Sequence, residues 1–357
     1  MSRSPRYYLA FVFLLIGAVL LVYLMAALLR VRLLDFENYL SATRILWQRQ
    51  NPYGEIEFFA PPWLALILSP LIKLPIEVSS SIWLLFNLVC IEGAVLLSLK
   101  WLGNRSKAQK LFFATIIPTL MPGAVYSYLT GQITPLVNLA ILFSAWIISS
   151  QSKVWLSAFG LLLVTLKPHI VVLPALICVL ELARRKHWGV IAAASFGLLI
   201  LLGLSTIWLP DWFPSLIEAW AQGNYRGGAP GLISPGYIGL RELGIPVWVF
   251  LPLAAYTLWR WWRAGLDPYV FALALSVNLL IVPYSRSYDL VVLILPLLYL
   301  TNLRSRRDLG VFVVSMISIF VLPLTELSIL TPLLITILLL LKREPFPTMQ
   351  QLPSAGA

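Results

Sequence analysis

Apolar stretches recur along the whole chain, near 7–29, 77–99, 111–127, 133–150, 154–167, 168–183, 187–209, 247–262, 268–283, 289–303, 310–323 and 326–341. A run of 18 or more apolar residues can span a bilayer as a helix. The pattern therefore predicts about twelve transmembrane helices, several of them short. A further apolar piece at 60–74 lies between Pro61-Pro62 and Pro75. It is too short to cross, which predicts a helix that dips into the membrane without spanning it. The ten-residue alternation of an outer-membrane barrel is absent. The expected fold class is all-α, a polytopic transmembrane helical bundle forming one integral-membrane domain over 1–357.

Composition sharpens this picture. The 357 residues are 60% hydrophobic and 11% charged, with a mean hydropathy of +0.87. That leaves too little polar surface for a soluble domain. The net charge of +11 would suggest a nucleic-acid partner, but its distribution argues for orientation in a membrane. With the N-terminus in the cytoplasm and the segments alternating sides, most basic residues gather on the cytoplasmic face. Lys100, Arg105, Lys107 and Lys110 fall there, as do Arg184, Arg185 and Lys186, and later Arg304, Arg306 and Arg307. That is the positive-inside pattern, so no nucleic-acid partner is expected. Arg3 and Arg6 before the first apolar run imitate a signal peptide, but the run exceeds the usual length, which predicts a retained first helix. Cys90 and Cys178 sit in apolar runs and read as small hydrophobes.

The long connections lie on the other face: a first outer loop at 30–76 and a second at 210–246, with a short cytoplasmic tail at 343–357. Long loops carry function more often than tight turns do. The first contains LDFENYLSATRILWQRQ, residues Leu34–Gln50. Asp35 can act as a general base just above the hydrocarbon. In a looped Asp-Phe-Glu, Glu37 would point the same way, and the pair could then hold a divalent cation; otherwise no cofactor or metal is expected. The same acids would also suit a solvated helix end. Residues 37–50 fit a short helix lying in the interface, and 211–222 another, since Trp212 and Trp220 favour the headgroup level.

Three further signals lie on the same face. Lys167-Pro168-His169 interrupts a long apolar run; an ionisable residue at membrane depth points to function, and Lys167 offers a compact cation for a phosphate. Tyr288 and Asp289 close the turn that begins at Pro283. There Arg286 could clamp a phosphate bidentately, with Asp289 holding its guanidinium or meeting a sugar hydroxyl. Gly131-Gln132 presents an amide at a helix start. The Gly/Pro-rich loop 223–244, with Arg226, is long enough to order over a substrate. Phosphate-loop, dinucleotide and nucleophile-elbow motifs are missing.

Taken in order, these residues resemble a known family. Asp35 with Tyr39, then Asn51-Pro52-Tyr53, then Pro61-Pro62 before an apolar run, resembles the opening of bacterial polyprenol-phosphate-mannose-dependent mannosyltransferases, which are GT-C integral-membrane enzymes. Gly131-Gln132, Lys167-Pro168 and the turn 283–289 followed by Pro296 resemble that family's later landmarks. There are departures: Gln50 stands where a glycine is frequent, and Tyr288-Asp289 where a histidine is frequent. The resemblance implies a polyprenyl-phosphate sugar donor, with mannose as the sugar. It also implies a glycolipid or glycan acceptor on the non-cytoplasmic face of the cell membrane, and Asp35 as base. Lys167, Arg286 and His169 would take the donor phosphate. Glu37, Tyr39, Tyr53, Gln132, Arg226, Tyr288 and Asp289 would contact substrate. A single base with a lipid-phosphate leaving group favours inversion. The alternative is a transporter or flippase, which would carry charges at mid-membrane and two similar halves.

Overall fold

The structure, a computed structural model, describes residues 33–53, 56, 58–103, 105–222, 246–282, 285–301, 306–322 and 330–342. The expected first apolar helix at 7–29, the loop containing Arg226, Pro283-Tyr284, the turn at 323–329 and the tail at 343–357 lie outside the described residues.

Among the described residues the chain is an all-α helical membrane bundle. The helices are α1 Leu34–Trp47, α2 Trp63–Leu68, α3 Ile76–Leu102, α4 Lys107–Leu120, α5 Pro122–Thr130, α6 Thr134–Ser150, α7 Leu156–Val164 and α8 Val172–Arg184. They continue as α9 Trp188–Trp208, α10 Trp212–Gln222, α11 Leu251–Ala264, α12 Pro268–Ile281, α13 Ile294–Leu300, α14 Arg306–Phe320 and α15 Leu330–Leu341. The one extended contact among these residues is an isolated bridge between Tyr53 and Ile56.

Two helices, α3 and α9, are long and apolar enough to cross a membrane, and α4 with α5 makes a third if the bent pair counts as one span. The 21 residues of α9 rise about 31 Å, the thickness of a hydrocarbon core. Only 6% of its most apolar window is buried inside the protein, and Ile207 is 82% exposed. An apolar surface of that extent is stable against lipid and would aggregate in water. Trp188 is exposed at one end, and Trp208 packs edge-on against Trp47 at the other, with ring centroids 5.3 Å apart.

The interior is organised around α12. Every residue from Tyr269 to Leu280 is buried, as expected of a helix apolar on all sides. Its one amide, Asn278, has a specific task. Pro168 has no N–H and interrupts the helix between α7 and α8, leaving a 3-10 turn at Pro168–Val171. Asn278 donates to the His169 carbonyl at 3.1 Å and accepts from Leu173 N–H at 2.9 Å. It thus restores bonds that the break removes. A second proline, Pro122, opens α5 and bends it 49° from α4.

Two glycines bring the remaining pieces into register. A Cβ on Gly123 would lie 2.7 Å from the Val291 nitrogen, so α5 can seat on the 3-10 segment Ser287–Leu293 only through glycine. Gly131 ends α5 with φ +73°, a left-handed conformation, and its missing Cβ would fall 2.6 Å from that of Phe36. Its carbonyl accepts from Trp83 Nε1 at 2.7 Å, and Trp83 stacks on Phe36 at 5.2 Å. The start of α1 is thereby clamped against the residue after Gly131.

The first outer loop departs from expectation in one respect. Asp-Phe-Glu is helical, not looped: α1 begins at Leu34, with Glu37 N–H bonded to the Leu33 carbonyl at 2.8 Å. Two acids in the first turn suit the positive end of the helix dipole, and Phe36, Tyr39, Leu40, Thr43 and Leu46 form its buried face. Residues two apart on a helix point about 200° apart, so the geometry for a divalent cation shared by Asp35 and Glu37 is lost. The dipping segment is a six-residue helix, α2, followed by a 3-10 turn at Leu71–Lys73, too short to cross.

Candidate active site

The half-buried carboxylate of Asp35 starts a chain of hydrogen bonds that ends at a fully buried one. Gln132 Nε2 donates to Asp35 Oδ2 at 2.5 Å. Its other end, Oε1, accepts from Tyr39 Oη at 3.2 Å and from Lys167 Nζ at 3.3 Å. The Lys167 ammonium also donates to Thr134 Oγ1 at 3.0 Å and to Asp289 Oδ1 at 2.6 Å. Thr134 donates to the same Asp289 oxygen at 2.8 Å, and Arg286 N–H donates to Asp289 Oδ2 at 2.8 Å. Asp289 is wholly buried and the Lys167 side chain is 11% exposed. In so poor a solvent an unpaired charge would be costly, and this one has its counterion.

Local sequence positions each member. Asp35 sits in the first turn of α1, and Gln132 directly after the left-handed glycine that α1 packs against. Lys167 precedes the proline that breaks the helix, so its side chain leaves at a disrupted turn (φ −150°, ψ 67°). Asp289 stands in the 3-10 segment on which α5 rests. Ser127 ties that segment to α5 by donating to the Tyr288 carbonyl at 3.1 Å, and the Tyr288 ring lies 4.5 Å from Lys167 Nζ.

This geometry belongs with a sequence match. The family model described as "Glycosyltransferase family 87" matches residues 58–283, more than half of the chain. The chain belongs to glycosyltransferase family 87. With its apolar helices, that membership makes it a membrane glycosyltransferase. No curated protein and no solved structure matches it. The matched stretch contains Gln132, Thr134 and Lys167 but stops short of Asp35 and Asp289, so the network joins residues inside and outside it.

Most residues singled out from the transferase's sequence converge. Asp35, Tyr39, Gln132, Lys167, Arg286, Tyr288 and Asp289 form or touch one network, and His169 lies within electrostatic reach of Lys167 and Asp289. Asp289 differs from expectation in its partners: Lys167 and Thr134 occupy one oxygen, and the Arg286 main chain the other. The Glu37 side chain makes no hydrogen bond or ion pair among the described residues. Arg44, another cation of the first outer loop, is exposed nine residues along α1 from Asp35, about 13 Å along the axis. Arg226 lies outside the described residues.

Tyr53 is set apart from the network. Its N–H bonds to Asn51 Oδ1 and its hydroxyl donates to the Ala60 carbonyl, each at 2.9 Å. Asn51 Nδ2 in turn donates to Ser215 Oγ at 2.8 Å, joining the first outer loop to α10. Burial pushes the Tyr53 phenol well above its usual value, so it stays neutral. The ring packs against Phe58, which meets Tyr39 edge-on; Tyr53 supports the wall behind the site.

Thr134 escaped sequence reading. A threonine before a proline at a helix start looks like any capping residue, and only its meeting with Asp289, 155 positions away, distinguishes it.

Proposed function

We propose that this transferase moves a sugar, mannose, from a polyprenyl-phosphate donor to a glycolipid or glycan acceptor on the non-cytoplasmic face of the cell membrane. The acceptor hydroxyl oxygen attacks the anomeric carbon as the bond from that carbon to the phosphate oxygen breaks, inverting the centre. Asp35 takes the hydroxyl proton, and polyprenyl phosphate leaves with the bonding electrons. Lys167, Arg286 and His169 are the groups proposed to receive the donor phosphate. Lys167 does so only by trading one of its three present partners. Family membership supports sugar transfer over the transporter or flippase alternative.

The observation that carries this reading is the half-buried carboxylate of Asp35, one amide away from a largely buried lysine. A base must reach solvent-borne acceptor, while a cation for a lipid phosphate belongs deeper. The test is transfer by the purified protein from a radiolabelled polyprenyl-phosphate sugar to membrane glycolipid. Asp35→Asn should lower turnover by about 10²–10⁴-fold while the protein still inserts and elutes as a single species. Undiminished turnover would end the base assignment. A nucleotide sugar that supports transfer equally well would end the lipid-donor assignment.

A further inference from the structure

Gln132 is 3% exposed, so water is not available to serve either end of its amide. One end meets the Lys167 ammonium, which can only donate, and accepts a further hydrogen bond from the Tyr39 hydroxyl. The other meets Asp35, which when ionised can only accept. Turning the amide over would press its NH2 against the ammonium and its oxygen against the carboxylate. Both contacts would be repulsive. The orientation is therefore decided by opposite charges at the two ends, and the lysine charge is itself held in place by Asp289 and Thr134.

The backbone beneath is equally constrained. Gly131 N–H and Gln132 N–H both bond to the Ser127 carbonyl at 3.0 Å, closing the end of α5 with glycine in the left-handed region. Gln132 thus presents its amide from a fixed point. Its bond to Asp35, half-buried in the first turn of α1, reaches that carboxylate from this fixed point.

We propose that Gln132 is a positioning residue for sugar transfer: oriented by Lys167 and Tyr39, its amide fixes the rotamer of the Asp35 carboxylate and keeps it ionised. This rests on Asp35 being the base. Hydrogen bonds to a charged form stabilise that form, and a pre-set rotamer removes an ordering cost from the transition state. The Lys167–Asp289 pair then acts on the reaction through the amide, without touching the acceptor.

The test is the pH profile of transfer. Gln132→Glu keeps an acceptor for Lys167 and Tyr39 but has no N–H to give Asp35. Turnover should fall roughly 10²-fold, and the donor KM should stay within about twofold of wild type in the neutral Gln132→Met variant, which adds no charge beside Lys167. The acid limb of the kcat/KM profile should move up by roughly one pH unit. Gln132→Met, neutral and similar in length, should move the limb in the same direction and serves if the glutamate variant does not fold. A residue that is only structural would lower the unfolding temperature and leave the limb in place. An unmoved limb with wild-type turnover in either folded variant overturns the proposal. Asp35→Asn in the same assay separates the two ideas. If it is inactive while the Gln132 variants are normal, only the positioning role fails. If it is active, the base assignment fails first.

Discussion

Two wholly buried carboxylates, Asp289 and Glu181, sit towards opposite ends of the 167–184 stretch and are satisfied in different ways. Glu181, near the end of α8, takes Arg184 at 2.8 Å and Arg185, three and four residues along the same helix, with Trp261 Nε1 of α11 donating at 2.8 Å. Asp289 takes a lysine 122 positions away, a threonine 155 away and a neighbouring main-chain N–H. The first cluster is built almost entirely within one helical turn and its arginines reach solvent, at 35% and 28% exposure. The second gathers separate segments and continues through Gln132 to a half-buried acid. Burial and saturation, common to both, do not mark function. What separates the two is continuity to the half-buried Asp35, the proposed base.

The comparison is most directly broken at Asp289. Asp289→Ala strands the buried Lys167 charge and should cost about 3–5 kcal/mol of stability, with transfer lost as well; thermal unfolding in detergent alongside turnover reads both. The double change Lys167→Met with Asp289→Leu removes the charges together and should recover most of the stability but not the turnover. If both return, the pair is a structural element like Glu181. A smaller effect is expected at that other end. Glu181→Gln leaves two arginines that water can still solvate, so the loss should be about 1–2 kcal/mol, with turnover within twofold of wild type. A transfer defect without a stability defect there would erase the contrast. Smallest is Tyr53→Phe, which removes one hydrogen bond to Ala60, about 1 kcal/mol, and should leave turnover unchanged; a raised acceptor KM instead would give Tyr53 a substrate contact.

Part of the architecture could be read from local pattern because its causes are local. Apolar runs produced the helices, and proline produced the break at Pro168; the bend at Pro122 fell inside one expected apolar segment, 111–127. The charge in an oily run at Lys167 and the acid after the first segment were conspicuous for the same reason. The conformation of Asp-Phe-Glu stayed open between loop and helix end because no side chain caps α1 at Leu33; Gly131 and Trp83 press on Phe36 there from other parts of the chain. The partners of Gln132 were not legible either, since nothing near it in the chain points to Asp35 or Lys167.

Hydropathy, the order of apolar segments and the spacing of proline and charge were sufficient for the fold class and for choosing the residues worth watching. Which of those residues meet was decided by packing alone. Pairings such as Lys167 with Asp289, or Gln132 with Asp35, join positions far apart in the chain, and a bilayer interior that cannot solvate charge forces such groups to find one another. That requirement acts across space, and neighbouring residues in the chain carry no record of the partner it selects.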